Sequence, residues 1–197
     1  GHVIKELKLS KNEKLDTDFV LSKSNINKIN KTQDIKIQNL KKEQRIDLSD
    51  KNSYLFKSWN SDNSPLLPVI QIERNNNKNT IELWLHTNSV AGRLDLNSKK
   101  SLELFFERFE SFPLLNNWQN YLSENIINAS KFNLGEKNDA ISLCLILNSD
   151  YQIINWSFHL TLVKCSLIVE NKHTEALLTR TSKSRITSRI LKPIKEY

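Results

Sequence analysis

Apolar and polar residues alternate most regularly between positions 68 and 87, and this segment anchors the structural prediction. From 80 to 87, aliphatic side chains occupy the odd positions 81, 83 and 85, and polar or aromatic side chains occupy the even ones. This is the period of a half-buried strand. An apolar β-branched run precedes it, and the intervening residues 75–79 are polar and tolerate left-handed backbone angles. The pattern predicts an antiparallel hairpin with strands at 69–73 and 80–87.

A second pair of apolar runs, at 140–147 and 153–168, flanks the turn sequence Asn148-Ser149-Asp150 and predicts a second hairpin. Apolar residues at helical spacing predict a helix over 98–110. Pro113 ends it, and shorter helices are expected at 115–122, 170–178 and 182–192. The predicted fold class is α+β: a mostly antiparallel sheet of two hairpins with packed helices, preceded by a flexible basic N-terminal segment.

The alternation also predicts which face of the sheet is buried. The aliphatic residues of the strands and the apolar stripe of the 98–110 helix should form the core. The residues expected to be mainly buried are Leu83, Leu85, Leu102, Phe105, Phe109, Leu143, Leu145, Leu160 and Leu162.

Charge divides the chain into three parts. Residues 1–45 carry 11 basic and 6 acidic side chains, residues 46–178 carry 12 and 15, and residues 179–197 carry 6 and 1. We therefore predict a basic linker or N-terminal extension at 1–45, a folded domain at 46–178 and a basic helical tail at 179–197. Basic ends are compatible with a polyanionic partner, although solvated tails would have the same composition.

Cysteine usage and hydropathy limit the cellular context. The two cysteines, Cys144 and Cys165, lie in apolar runs and are expected to be reduced core residues, which indicates a cytoplasmic protein. The apolar runs are all shorter than the roughly 18 residues of a membrane-spanning helix, so no membrane partner is expected.

The order of motifs from Arg45 to Leu178 resembles the catalytic domain of the ribonuclease II / ribonuclease R (RNB) family of 3′→5′ exoribonucleases. Residues 45–50, RIDLSD, are similar to the family's R-x-D-L-[ST]-D, and residues 83–90, LWLHTNSV, are similar to its V-H-I-A-D-V strand. Residues 133–143, NLGEKNDAISL, resemble S-L-x-P-G-x-x-R-x-A-L-S. The resemblance covers roughly two-thirds of the chain and implies the first half of an RNB-like domain.

The family's metal ligands are the main departure from this resemblance. The family binds Mg²⁺ through D-x-x-x-x-x-D-x-D-D just before the first central strand, because hydrolysis with two metal ions needs such oxygen ligands. Alignment back from residues 69–73 places Trp59, Pro65, Leu67 and Pro68 at those four positions, and Asp62 is the one acid in the loop. The sequence therefore predicts no catalytic residues, no metal ligands and no bound cofactor, although Mg²⁺ is the family's cofactor.

The resemblance also directs attention to residues that could contact RNA. Cations would bind phosphates, and exposed tryptophans would stack on unpaired bases. Trp84 is expected to be accessible because it shares a face with Glu82 and His86. The predicted RNA-binding residues are Arg45, Trp59, Trp84, Arg180, Lys183, Arg185 and Arg189, with further basic contacts from Lys28, Lys31, Lys36, Lys41 and Lys42.

Other candidates have simpler interpretations. His86 has no metal-ligand spacing to other histidines and is interpreted as a structural or surface residue. The carboxylates Asp47, Asp50 and Asp62 are interpreted as turn and capping groups, with a residual acidic site as the alternative. Phe112 is expected to pack in the core, with base stacking as its alternative.

Three functions stay open on the sequence. The first is a divergent RNB domain that binds single-stranded RNA, or a protein partner, without hydrolysing it. The second is an active exoribonuclease whose ligands come from the missing C-terminal half of the domain or from another subunit. The third is a structural or protein-interaction module within a larger assembly.

Overall fold

The computed structural model describes residues 44–57, 66–95, 97–99, 111–113 and 118–170, together with Phe19, Ser22 and Ile37. This part of the chain contains nine strands, one 3-10 helix and one α-helix. Their bounds are β1 (Ile46–Asp47), β2 (Ser53–Phe56), β3 (Val69–Asn75), β4 (Thr80–Asn88), the 3-10 helix (Ala91–Arg93), β5 (Phe112–Pro113), β6 (Trp118–Gln119), α1 (Glu124–Ser130), β7 (Lys137–Leu147), β8 (Ile153–Lys164) and β9 (Leu167–Val169).

Seven strands form one sheet in the order β1-β8-β7-β4-β3-β2-β9, and β5 pairs with β6 separately. The four inner pairings are antiparallel. The two outermost pairings, β1 with β8 and β2 with β9, are parallel. The α+β class agrees with the prediction, but the sheet is mixed and has three strands beyond the two expected hairpins. Parallel partners are distant in sequence, so alternation within a strand carries no signal for them.

The β3–β4 and β7–β8 hairpin turns both depend on asparagine. In the β3–β4 turn, Asn75 Oδ1 accepts the Lys78 N–H at 3.2 Å, and Asn79 has a φ of 49°. In the β7–β8 turn, Asn148 Oδ1 accepts the backbone N–H groups of Asp150 and Gln152 at 3.0 and 2.9 Å. Asparagine suits these positions because its side chain replaces a backbone acceptor and it tolerates left-handed angles.

The two faces of the sheet differ in what covers them. On the face that we call the inner face, Leu55, Val69, Ala140 and Val163 form a buried cluster with Phe132 and Cys165. Residues opposite each other on neighbouring strands point to the same side. The cross-strand pairing therefore extends the inner face to Gln71, Trp84, His86, Ser142, Cys144 and Thr161, all of them buried.

The predicted core residues of the strands lie on the opposite, outer face, where burial is less complete than on the inner face, and the prediction is wrong for Leu160. Leu83, Leu85, Leu143, Leu145 and Leu162 are only half-buried, and Leu160 is exposed. Three buried polar residues of the inner face, His86, Ser142 and Thr161, hydrogen-bond to one another, which period-2 alternation cannot reveal. Leu102, Phe105 and Phe109, with the predicted helices at 98–110, 170–178 and 182–192, fall mainly or wholly outside the described residues.

A second, smaller core holds α1 in place. Leu94, Leu122 and Ile126 are buried together, with Leu66, Val90 and Ile127 among the half-buried residues packed against them. The Asn88 side chain at the end of β4 donates to the Ser130 carbonyl at the end of α1, at 2.9 Å. The expected helix at 115–122 is wrong in part, because β6 occupies 118–119 and the helix begins only after Ser123. Ser123 is the N-cap residue, although its hydroxyl donates to Asn125 Oδ1 and makes no capping hydrogen bond, and Glu124 complements the positive end of the helix dipole.

Candidate functional site

Only two of the predicted RNA-binding residues, Arg45 and Trp84, belong to the described part of the structure. Trp59, Arg180, Lys183, Arg185 and Arg189 lie outside it, as do Asp62 and the five N-terminal lysines. The backbone of Phe112 is described, in β5, but its side chain is not. The roles of these residues stay predictions. The structure therefore tests accessibility at two positions.

Arg45 connects the start of the domain to the centre of the sheet. Its Nη1 donates to the Ala140 carbonyl at 3.0 Å and to the Thr161 carbonyl at 3.4 Å, and its Nε lies 3.0 Å from Asp139 Oδ1. The side chain is only 9% exposed. The guanidinium thus joins β7 and β8 next to β1, and a phosphate would have to compete with these contacts.

Replacing Arg45 by methionine should lower the free energy of unfolding by about 2 kcal/mol, because a half-buried carboxylate and two carbonyls lose a charged donor. Chemical denaturation measures this change. The control is Lys51→Met, which removes an exposed pair with Glu73 at 3.5 Å and should cost less than about 0.5 kcal/mol. A purely RNA-contacting Arg45 would show the opposite result, unchanged stability with weakened RNA binding.

Trp84 is buried, so its predicted accessibility is wrong. The residue is 8% exposed, and its ring stacks on His86 with centroids 6.1 Å apart and packs against His159 at 5.4 Å. The indole fills the inner face between β3 and β7 instead of projecting into solvent. A buried ring cannot stack on a base, so Trp84 does not support an RNA platform.

A chain of hydrogen bonds crosses the inner face beside Trp84. Nδ1 of His86 lies 2.7 Å from the Ser142 hydroxyl, which lies 2.6 Å from the Thr161 hydroxyl. All three residues are fully buried. Within the described residues, His86 Nε2 and both polar atoms of the Gln71 side chain are buried without a hydrogen-bond partner. The sequence did not predict this cluster, although small polar residues at alternate positions of β7 and β8 were its signal.

Burial controls the charge of His86. Desolvation of the ring lowers its pKa from the usual 6.5 to about 4. The imidazole is therefore neutral at physiological pH, and one hydroxyl contact satisfies one of its nitrogens. The burial and neutrality of the ring agree with the structural interpretation of His86. The inner face thus contains a group that resists protonation.

The candidate carboxylates Asp47 and Asp50 lie at a turn. Asp47 Oδ1 accepts the Ser49 N–H at 2.9 Å, and its Oδ2 accepts from Lys137 Nζ at 3.1 Å. The hydrogen bonds from Ser49 are the main reason why the pKa of Asp47 falls to about 2. Asp50 is exposed in the following turn. Among the described residues, no group of three or more histidine, cysteine or acidic side chains could hold a metal ion.

Both cysteines are free and buried, and burial raises the pKa of each thiol. Neither is therefore an activated nucleophile. In the ranges that the structure describes, no helix is long and apolar enough to cross a membrane.

Comparison with known proteins identifies the fold. No protein-family profile and no curated protein matches the sequence. The structure of yeast Ssd1, a pseudonuclease, superposes with a TM-score of 0.73 at 16% identity, covering 94% of this chain and 24% of that one. Mycoplasma genitalium RNase R in complex with ribose-methylated single-stranded RNA gives 0.65 at 15% identity, with coverages of 78% and 23%. An active-site mutant of the Dss1 exoribonuclease from Candida glabrata gives 0.61 at 17% identity, with coverages of 76% and 21%.

The chain therefore has an RNB-like fold, the fold of ribonuclease II-like proteins, as the sequence motifs predicted. It spans about a quarter of the length of the structures that it matches, so it corresponds to part of such a protein.

Proposed function

We propose that this chain is part of a divergent ribonuclease II-like domain that binds single-stranded RNA and does not hydrolyse it. The observation that carries the proposal is the RNB-like fold, which agrees over 94% of the chain with a protein described as a pseudonuclease. The structural neighbour RNase R is seen with single-stranded RNA, which supports RNA as the ligand class.

Residues at the family's metal positions support the absence of hydrolysis. Trp59, Pro65, Leu67 and Pro68 align with the four aspartates, and none offers the oxygen ligands that Mg²⁺ requires. Leu67 packs against the buried cluster of the inner face, so its side chain contributes to the core. We accordingly propose that the acidic cluster has been lost and that Mg²⁺ is not a cofactor of this chain.

The distribution of charge supports contact through the ends of the chain. Residues 46–178 carry more acidic than basic side chains, whereas the flanking segments are basic. Because Arg45 is bound within the sheet, we assign the N-terminal share to Lys28, Lys31, Lys36, Lys41 and Lys42. The C-terminal share belongs to Arg180, Lys183, Arg185 and Arg189. Contacts of this kind read the backbone and carry little base preference.

RNA binding should weaken steeply between about 50 and 200 mM salt, because each phosphate contact releases condensed counterions. The slope of log K against log salt is negative. Replacing Arg180, Lys183, Arg185 and Arg189 with glutamine should reduce its magnitude by up to about 3, at roughly 0.7 per contact. Fluorescence anisotropy with a labelled single-stranded RNA measures both effects. The matched control replaces four exposed lysines of the central domain, Lys51, Lys78, Lys131 and Lys164.

RNA length should stay unchanged in the same preparation, with Mg²⁺ or with chelator. Processive 3′ shortening that chelator abolishes would instead establish the alternative, an active exoribonuclease with ligands supplied elsewhere. Asp62→Asn then tests whether the one acid of the loop takes part. Absence of salt-dependent RNA binding would favour the third possibility, a structural or protein-interaction module.

The two free, buried cysteines support a reducing compartment, and a cytoplasmic location is part of the proposal.

A further inference from the structure

Ile37 fixes part of the basic N-terminal segment to the folded domain. It forms an isolated antiparallel bridge with Leu94, and its half-buried side chain packs against the small core of Leu94, Leu122 and Ile126. Phe19, in the same segment, is instead 55% exposed. Backbone pairing and apolar packing at the same residue define a specific contact. We call this contact the Ile37 anchor.

The segment is fixed to the domain a second time at Arg45, whose guanidinium donates to the Ala140 carbonyl at 3.0 Å. Ala140 lies opposite Asn88 in the β4–β7 pairing, and the Asn88 side chain donates to the last residue of α1. The small core that receives Ile37 is formed by α1 and by Leu94, which follows β4. Both anchors therefore lie at the end of the sheet where β4 ends.

The connection between the two anchors is short and contains two adjacent lysines. Seven residues separate Ile37 from Arg45, and they include Lys41, Lys42 and one acid, Glu43. A chain advances by at most about 3.6 Å per residue, so the Cα atom of Lys41 lies within about 15 Å of the Cα atom of each anchor residue. Without the Ile37 anchor, only the distance to Arg45 would be limited. Fixing both ends confines the two lysines to this end of the sheet.

Confinement reduces the entropy that the lysines lose when they bind a phosphate. A basic segment that is fixed at one end is ordered only on binding, whereas a segment that is fixed at both ends has lost part of that entropy on folding. Asp139, beside the second anchor, is already paired with Arg45 at 3.0 Å. Its charge therefore opposes an approaching phosphate less than an unpaired carboxylate would.

We propose that Ile37 is a positioning residue for RNA. It docks the N-terminal segment on the small core and thereby holds Lys41 and Lys42 where they bind RNA phosphates, without contacting RNA itself. The inference rests on the proposed function, because it concerns the RNA that we assign to this chain. The sequence did not distinguish Ile37 from the other scattered isoleucines of the segment, because its partner Leu94 is distant in the chain.

RNA binding by the whole chain tests whether Ile37 acts through the two lysines. Ile37→Asn should weaken the binding of a labelled single-stranded RNA about three- to tenfold, and Ile37→Leu should bind like the wild type. Replacing Lys41 and Lys42 with glutamine should weaken binding and reduce the magnitude of the salt slope by about 1.4, at roughly 0.7 per contact. Ile37→Asn added to this pair should weaken binding no further, because the lysines that it positions are gone. The matched control, Phe19→Asn, should leave the affinity unchanged.

Limited proteolysis tests the docking without RNA. Trypsin should cut after Lys41 and Lys42 several-fold faster in Ile37→Asn than in the wild type, because loss of the anchor frees the connection for the protease. Mass spectrometry identifies the cuts, and Phe19→Asn should leave their rates unchanged. Circular dichroism verifies that each variant is folded, and Ile37→Ala takes the place of Ile37→Asn if the latter does not fold.

The two measurements separate this inference from the proposed function. Additive effects of Ile37→Asn and the lysine pair, or equal cleavage after Lys41 and Lys42 in Ile37→Asn and the wild type, would overturn the positioning role while RNA binding by the chain stands. An absence of RNA binding by the wild type would overturn the proposed function and the role of Ile37 in it, even where trypsin shows the anchor.

Discussion

Replacing Phe132 with alanine is expected to lower the free energy of unfolding by about 3 to 5 kcal/mol, the usual cost of removing a buried phenyl ring. Phe132 is 5% exposed and closes the inner face of the sheet over Leu55, Val69, Ala140 and Val163. It follows α1 and precedes β7, so its ring joins the helical segment to the sheet. The cavity left behind would be lined by residues from four strands, which cannot collapse together. Urea denaturation monitored by circular dichroism measures the change.

The matched control is Phe158→Ala, the same substitution at an exposed ring of β8. It should change the free energy of unfolding by no more than about 0.5 kcal/mol. A smaller effect at Phe132 than at Phe158 would contradict the assignment of the core to the inner face. It would favour the original expectation that the outer face is the buried one.

Stability should also fall as the pH drops from 7 towards 4.5, by about 2 to 3 kcal/mol, because of His86. The folded-state pKa of this ring is lowered to about 4 by burial, against 6.5 in the unfolded chain. Above 6.5 the imidazole is neutral in both states. Below pH 6.5 the ring binds a proton in the unfolded chain but not in the folded chain. The free energy of unfolding therefore falls until the pH reaches the folded-state pKa.

Denaturation curves at several pH values between 7 and 4.5 measure this loss. Asp47, with its pKa lowered to about 2, loses its contribution only at lower pH, so the two effects separate. His86→Gln should remove most of the pH dependence in this window. Ser142→Ala should lower stability at every pH but keep the slope, because it removes a hydrogen bond of His86 without exposing the ring. An unchanged slope in His86→Gln would show that other groups cause the pH dependence.

The sequence by itself determined the strands and turns of the central sheet. Alternation between 80 and 87 and the asparagine-rich segments after β3 and β7 are local signals, and local signals determine where a strand begins and turns. The collinear motifs also identified the RNB-like fold, which the solved structures confirm. The parallel strand β1 escaped prediction, and the strand predicted at 153–168 is divided into β8 and β9, because the partners of β1 and β9 are more than 100 residues away in the chain.

Only the tertiary structure decided which face of the sheet is the core. Hydrophobicity assigned burial to Leu83, Leu85, Leu143 and Leu145, whereas the fold buries Trp84, His86, Ser142 and Thr161. From the sequence alone, a serine or threonine is expected to be exposed, because burial requires a hydrogen-bond partner for its hydroxyl. Here the partners come from different strands. Arg45 is bound by groups of distant strands and Trp84 is packed between two histidine rings, so both side chains are less accessible than the sequence indicated. The hydrogen bonds that link His86, Ser142 and Thr161 join three strands, and no pattern within one strand contains them.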